Sequence, residues 1–210
     1  MRFLVIEGNI GAGKTTLAKK IAEEYNAKLI LEQFADNPFL PKFYEDQDRY
    51  SFPLELSFLA DRYSQLKKEI LNLDLFHSFL VADYYFAKSS IFAQNTLKED
   101  EYNLFRRIFD IIFESMPKPD LYVYLHSGTS KLLQNIKNRG REYEKHIQPE
   151  YLEKIKDGYF GFFKKITTFP IVIIDVNSID FVENHHHYEK LKEAIFQTNY
   201  KIGINLLIME

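Results

Sequence analysis

The chain has 210 residues, 46% of them hydrophobic, with 27 Lys plus Arg against 30 Asp plus Glu for a formal net charge of -3. That length supports one domain spanning 1–210 with a substantial core and is short for two. The near-neutral balance excludes a global basic field aimed at nucleic acid, and the lack of cysteine excludes disulfides and Cys-based zinc sites.

The opening "MRFLVIEG" enters a strand pattern at once, without the charged start and long apolar run of a leader, and no run reaches membrane-spanning length. A soluble cytoplasmic protein with no nucleic-acid or membrane partner is expected. Short apolar runs rich in β-branched residues follow at 3–7, 28–31, 78–83, 120–125 and 170–176. Such nearly continuous runs suit parallel strands buried on both faces. Helical periodicity falls between them, over Lys14 to Tyr25, 52–72, Glu99 to Met116 and Pro149 to Thr168. In 52–72 the apolar side comprises Leu54, Phe58, Leu59, Leu66 and Ile70. Alternating strands and helices predict an α/β fold, a five-stranded parallel sheet with helices on both faces. His185 to His187 read as a solvated helix end, since adjacent residues on a helix diverge. The tail at 201–210 is either an extra strand or a docking segment.

Gly8-Asn9-Ile10-Gly11-Ala12-Gly13-Lys14-Thr15 fits the phosphate-loop pattern G-x-x-x-x-G-K-[ST], with a strand before it and a helix after. Its glycines let backbone N–H groups approach phosphate oxygens, and the helix N-terminus adds positive potential. Lys14 is expected to span the β- and γ-phosphates of ATP, with Thr16 in the same turn, and Thr15 to hold Mg²⁺ through its hydroxyl. The loop alone does not separate a small-molecule kinase from a GTPase or an ATPase motor. Glu32 follows the second apolar run, on the carboxyl rim of the sheet where the loop also lies. A carboxylate there can take the proton of an attacking hydroxyl; taken alone, a capping or surface glutamate is the simpler reading. Arg139 and Arg141, parted by a glycine, suit a clamp on phosphate oxygens, with a plain solvated loop as the other reading.

Together these segments resemble the deoxynucleoside kinases, P-loop enzymes that phosphorylate the 5′-hydroxyl of deoxynucleosides. The resemblance spans roughly residues 2–197. It rests on GNIGAGKT at 8–15, the Glu of "LEQF", "NPFLPKFYED" at 37–46, "RYSFPLELSFLADRY" at 49–63, "SSIFAQNTL" at 89–97, "NRGREYE" at 138–144, "PEYLEKI" at 149–155 and "IDVNSIDF" at 174–181. It implies a P-loop kinase fold with a lid, ATP as donor with Mg²⁺, and a homodimer using the helices at 52–72 and 99–116. By position, Glu32 resembles the general base, Tyr44 and Glu144 the pair at the sugar 3′-hydroxyl, and Arg62 the base-reading arginine. Arg139 and Arg141 resemble the lid arginines, and Asp180 and Phe181 the adenine contacts. Phe58 and Phe92 are expected to wall the base pocket.

Three positions depart from the family. An arginine that usually follows the acidic residue after the third strand is missing from "VADYYFAKSS", which leaves Asp83 near Mg²⁺ and passes the arginine's task to Lys88 or the lid. Lys88 stands where many relatives place an aspartate partner for the base-reading arginine, and Asn135 where some carry another arginine. Glu55 replaces a common glutamine, and an ionised carboxylate only accepts hydrogen bonds. Seven residues from Arg62 on one predicted helix, it shares that residue's face. A carboxylate there favours a base edge rich in N–H groups, which predicts a purine. The competing readings are a nucleoside monophosphate kinase such as thymidylate kinase, against which the missing arginine argues, and a P-loop ATPase or switch.

Overall fold

The computed structural model describes residues 1–33, 37–71, 76–145, 147–197 and 199–209. Parts of the predicted elements therefore lie outside the described residues: Asn72 of the helix at 52–72, Phe34 to Asp36 after Glu32, and Glu210 of the tail.

Six strands form one parallel sheet: β1 (Phe3–Gly8), β2 (Lys28–Ile30), β3 (Leu80–Ala82), β4 (Leu121–His126), β5 (Pro170–Asp175) and β6 (Gly203–Ile208), in the spatial order β2-β3-β1-β4-β5-β6. The five predicted strands are present and the sixth corrects their number. The tail is a strand, paired in parallel with β5 from Pro170↔Gly203 to Asp175↔Ile208. Its outward residues Ile204, Leu206 and Ile208 are exposed while Leu207 packs inward, so the run alternates as an edge strand does.

Strand periodicity sorts the core into two layers. Phe3 and Val5 of β1 join Tyr122, Tyr124, Ile171 and Ile173 on one face; Leu4 and Ile6 join Val123, Leu125, Val172 and Ile174 on the other. The first face is covered by α3 (Gln47–Leu71), α4 (Lys88–Thr96), α5 (Glu99–Ser115) and α7 (Pro149–Phe163). The second is covered by α1 (Lys14–Glu24), α6 (Thr129–Arg139) and α8 (His185–Gln197). A short α2 (Leu40–Glu45) precedes α3. Helix α3 starts well before residue 52, because Asp46 caps it: its Oδ1 accepts from Arg49 N–H (3.2 Å) and its carbonyl from Tyr50 N–H (3.1 Å). Pro53 is accommodated inside this helix. The histidine triplet opens α8, and His187 Nδ1 accepts from Asp180 N–H at 3.0 Å.

Glu7 falls on the first face by the same alternation and is completely buried. It survives there because three donors meet it: Tyr85 N–H at 2.9 Å, Tyr159 Oη at 2.8 Å and Gly8 N–H at 3.3 Å. Burial raises its pKa, opposed by the cations of Lys88 and Lys14. Tyr159→Phe removes one of these donors and is expected to lower unfolding stability by about 1–3 kcal/mol, the scale of a buried hydrogen bond to a carboxyl group. Urea denaturation measures this; an unchanged midpoint would remove Glu7 and Tyr159 from the account of the core.

Candidate active site

In a parallel sheet every strand ends on the same side, so the rim gathers the residues that follow β1, β2 and β3. β3 lies between β2 and β1, with Ala82 paired to both Ile30 and Val5. The residue after β3, Asp83, is thus set between the two other strand ends.

The phosphate loop turns between β1 and α1. Gly13 has φ of +87°, and a Cβ there would meet the Phe181 ring at 2.7 Å, so a glycine is needed for both backbone and contact. Asn9 Nδ2 donates to Leu152 O (2.7 Å) and Asn135 Nδ2 to Gly11 O (2.8 Å), tying the loop to α7 and α6. Asn135 thereby secures loop backbone. Lys14 Nζ donates to the carbonyls of Gly8 and Asn9, each at 2.9 Å. Desolvation and the neighbouring Lys88 lower its pKa to about 8.

Asp83 Oδ2 accepts from Thr15 Oγ1 (2.5 Å) and its Oδ1 from Glu32 N–H (2.8 Å). Beside Lys14 this gives two hard oxygen donors. Among the described residues no group of three or more His, Cys, Asp or Glu is placed to hold a metal alone. Such a donor set fits Mg²⁺, which takes one or two protein groups along with phosphate oxygens and water.

Glu32 is held from two sides. Its Oε1 accepts from Arg62 Nε (3.0 Å) and Nη2 (2.7 Å), and its Oε2 from Lys88 Nζ. Burial opposes ionisation, but the Lys88 and Arg62 cations outweigh it and hold the carboxyl at about 2. The surface-glutamate reading is therefore overturned. Arg62 is itself fixed by Nη1 to Ser89 Oγ (2.9 Å) and lies 4.9 Å over the Phe58 ring; Lys88 lies 5.3 Å over Phe92. Arg62 thus grips Glu32 rather than Glu55. Lys88 reaches Glu32 because the turn after β3, closed by Lys88 N–H to Tyr85 O (3.0 Å), folds α4 back over the rim.

One cavity of about 560 Å³ is lined by this rim together with Glu55, Phe58, Phe92, Tyr151, Tyr44 and Glu144. Glu55 Oε1 accepts from Thr96 Oγ1 (2.8 Å), while Oε2 is buried with no partner among the described residues. Glu144 accepts from Arg139 Nη2 (2.5 Å) and Arg141 Nη1 (3.4 Å), which links the lid pair to the carboxylate expected at the sugar. Tyr44, on α2, is 46% exposed. Beyond the loop, Asp180 Oδ1 caps its own turn by accepting from the N–H groups of Val182 (3.1 Å) and Glu183 (3.0 Å), and Phe181 rests on Gly13.

Sequence reasoning missed Glu7, Ser89, Thr96 and Tyr151. Glu7 was detectable as the one charge inside a continuous apolar strand. Ser89 and Thr96 lie on α4, where Lys88 and Ser89 are buried beside Ile91 and Ala93, and this mixture hides the helical period.

A phosphate loop and a buried carboxylate on one parallel rim, both lining the same cavity, define a phosphotransferase of the P-loop kinase class. The family model described as "Deoxynucleoside kinase" matches residues 4–199. A deoxyguanosine kinase of Bacillus subtilis (strain 168) is 35% identical over 193 residues, covering 90% of this chain and 93% of that protein. A deoxyadenosine kinase of Dictyostelium discoideum is 31% identical over 207 residues, covering 96% and 82%. The structure of deoxyadenosine kinase from M. mycoides with bound dATP superposes with a TM-score of 0.79 at 26% identity, covering 91% of this chain and 98% of that one. The chain belongs to the deoxynucleoside kinase family.

Proposed function

We propose that this protein moves the γ-phosphoryl group of ATP to the 5′-hydroxyl of a purine deoxynucleoside in nucleotide salvage. The observation that carries this reading is one cavity lined by Lys14, Thr15, Glu32 and Glu55 together. Lys14 meets the donor phosphates, Glu32 accepts the hydroxyl proton, Tyr44 and Glu144 hold the sugar, and Arg139 and Arg141 turn from Glu144 to the transferring group. Asp180 and Phe181 border the adenine of ATP. Thr15 and Asp83 hold Mg²⁺, which supplies charge neutralisation at the phosphates. With its pKa held near 2, Glu32 acts first by aligning the hydroxyl. In a loose transition state the proton leaves late, so alignment contributes more than basicity.

Lys88 takes the place of the absent arginine, since its ammonium already contacts Glu32. Relatives named for deoxyguanosine and deoxyadenosine support the purine. The test is ADP release with each of the four deoxynucleosides at fixed ATP. Acceptor-dependent release, greatest with deoxyguanosine or deoxyadenosine, is expected; a much higher kcat/KM for thymidine, or release without an acceptor, would contradict it.

The whole chain acts as one domain, in the cytoplasm, as a homodimer. No helix among the described residues is long and apolar enough to cross a membrane. For the dimer, Leu104 and Ile111, seven residues apart on α5, are 48% and 75% exposed and share a face. A monomer mass by light scattering would overturn it.

A further inference from the structure

We propose that Glu55 is a specificity-determining residue that accepts guanine whether ionised or neutral and adenine only as the neutral acid, so that loss of the proton on its carboxyl selects against adenine. This rests on the deoxynucleoside kinase reading above and deepens it.

The geometry singles out one carboxyl. Glu55 is 3% exposed and lines the cavity, yet among the described residues only Oε1 has a partner, Thr96 Oγ1 at 2.8 Å. Oε2 is buried and unmet, which is costly unless a ligand group or a proton satisfies it. Arg62 gives three of its five N–H groups to Glu32 and Ser89, and Glu55 brings to the cavity a buried carboxyl oxygen whose hydrogen bonds are still to be made.

The two purines ask different things of it. Guanine offers N1–H and the 2-amino group side by side, two donors that match a carboxylate, which only accepts. It also offers O6 beside N1–H, which matches a neutral acid. Adenine offers a donor, the 6-amino group, beside an acceptor, N1 or N7, on either edge. Only a protonated carboxyl, with an O–H donor on Oε2 and the second lone pair of Oε1 beside the Thr96 contact, satisfies both. An ionised Glu55 sets a lone pair against the adenine nitrogen.

The surroundings leave both forms accessible. Desolvation raises the Glu55 pKa to about 7, against the pull of the Arg62 cation on α3 and the Thr96 hydroxyl on α4; Glu32 after β2 raises it further and Lys88 on α4 lowers it. From α7, Tyr151 contributes a phenol whose pKa burial raises, so it stays neutral. At the cavity mouth Lys98 and Asp48 pair with each other at 3.2 Å, and Glu101 accepts from Lys98 N–H.

The test is kcat/KM for deoxyguanosine and deoxyadenosine between about pH 6 and pH 8, in the wild type and in Glu55→Gln. Taking the ratio cancels titration in the donor half, including Lys14, which both acceptors share. For a single group centred near 7, kcat/KM for deoxyadenosine falls about tenfold over this span while that for deoxyguanosine holds or rises. Glutamine carries a permanent donor and acceptor, so its ratio stays flat. Thr96→Val removes the donor that favours the carboxylate and moves the midpoint of the ratio to higher pH. A flat ratio in the wild type, an equal slope in Glu55→Gln, or a midpoint unmoved by Thr96→Val would overturn the proposal. Failure of both purine deoxynucleosides to be phosphorylated at any pH would instead overturn the purine kinase reading beneath it, while failure of deoxyadenosine alone at every pH would overturn the proposal.

Discussion

Replacing Glu32 by glutamine is expected to lower kcat about 10²- to 10⁴-fold, the range typical for loss of a positioned general base. ATP affinity is expected to stay near that of the wild type. Glutamine keeps the size of the side chain, but its amide cannot accept from both Lys88 and Arg62 and so loses the alignment of the hydroxyl, and it cannot take the proton. The donor contacts of Lys14, Thr15 and the loop remain. Two cations without their shared carboxylate also destabilise the fold, by up to about 3–5 kcal/mol for a buried site. Turnover must therefore be measured on protein shown by circular dichroism to be folded and by titration to bind ATP. Near-wild-type kcat in such a sample would remove Glu32 from the base role.

Lys88→Met is expected to lower kcat about 10²-fold, the scale seen when one preorganised electrostatic contact is removed. It should also leave a signature in pH. In the wild type the two cations hold the Glu32 carboxyl at about 2, so it is ionised throughout the working range. Removing Lys88 removes part of that depression and the carboxyl pKa rises. Because the active form is the carboxylate, the acid limb of the kcat/KM profile moves to higher pH, whereas Lys88→Arg keeps it near the wild-type position. A profile from about pH 4 to pH 8 reads the difference. An acid limb that Lys88→Met leaves in place would show that Lys88 does not control Glu32.

The phosphate loop was legible in sequence because its glycines, Lys14 and Thr15 are adjacent in the chain and their context is local. Five strands were legible because burial on both faces leaves unbroken apolar runs. β6 was not, since an edge strand alternates and its exposed Ile204, Leu206 and Ile208 read equally as a docking segment. The replacement of the missing arginine was only half legible. Position along the chain set Lys88 against the base-reading arginine, but the turn from Tyr85 to Lys88 carries its ammonium to Glu32 instead. Arg62 moved for the same reason: Glu32 and Ser89 converge on it from separate elements. Glu55 stood out by residue type, and its buried, half-satisfied state emerged only from the packing of α3 against α4.

In the proposed reaction the Glu32 carboxylate receives a hydroxyl proton while the loop holds the donor phosphates. Its most direct test is the product formed from ATP and deoxyguanosine. One 5′-monophosphate per ADP, formed about 10²- to 10⁴-fold more slowly by folded, ATP-binding Glu32→Gln, is the predicted result; ADP without a phosphorylated nucleoside, or a product phosphorylated elsewhere than the 5′-oxygen, would contradict it.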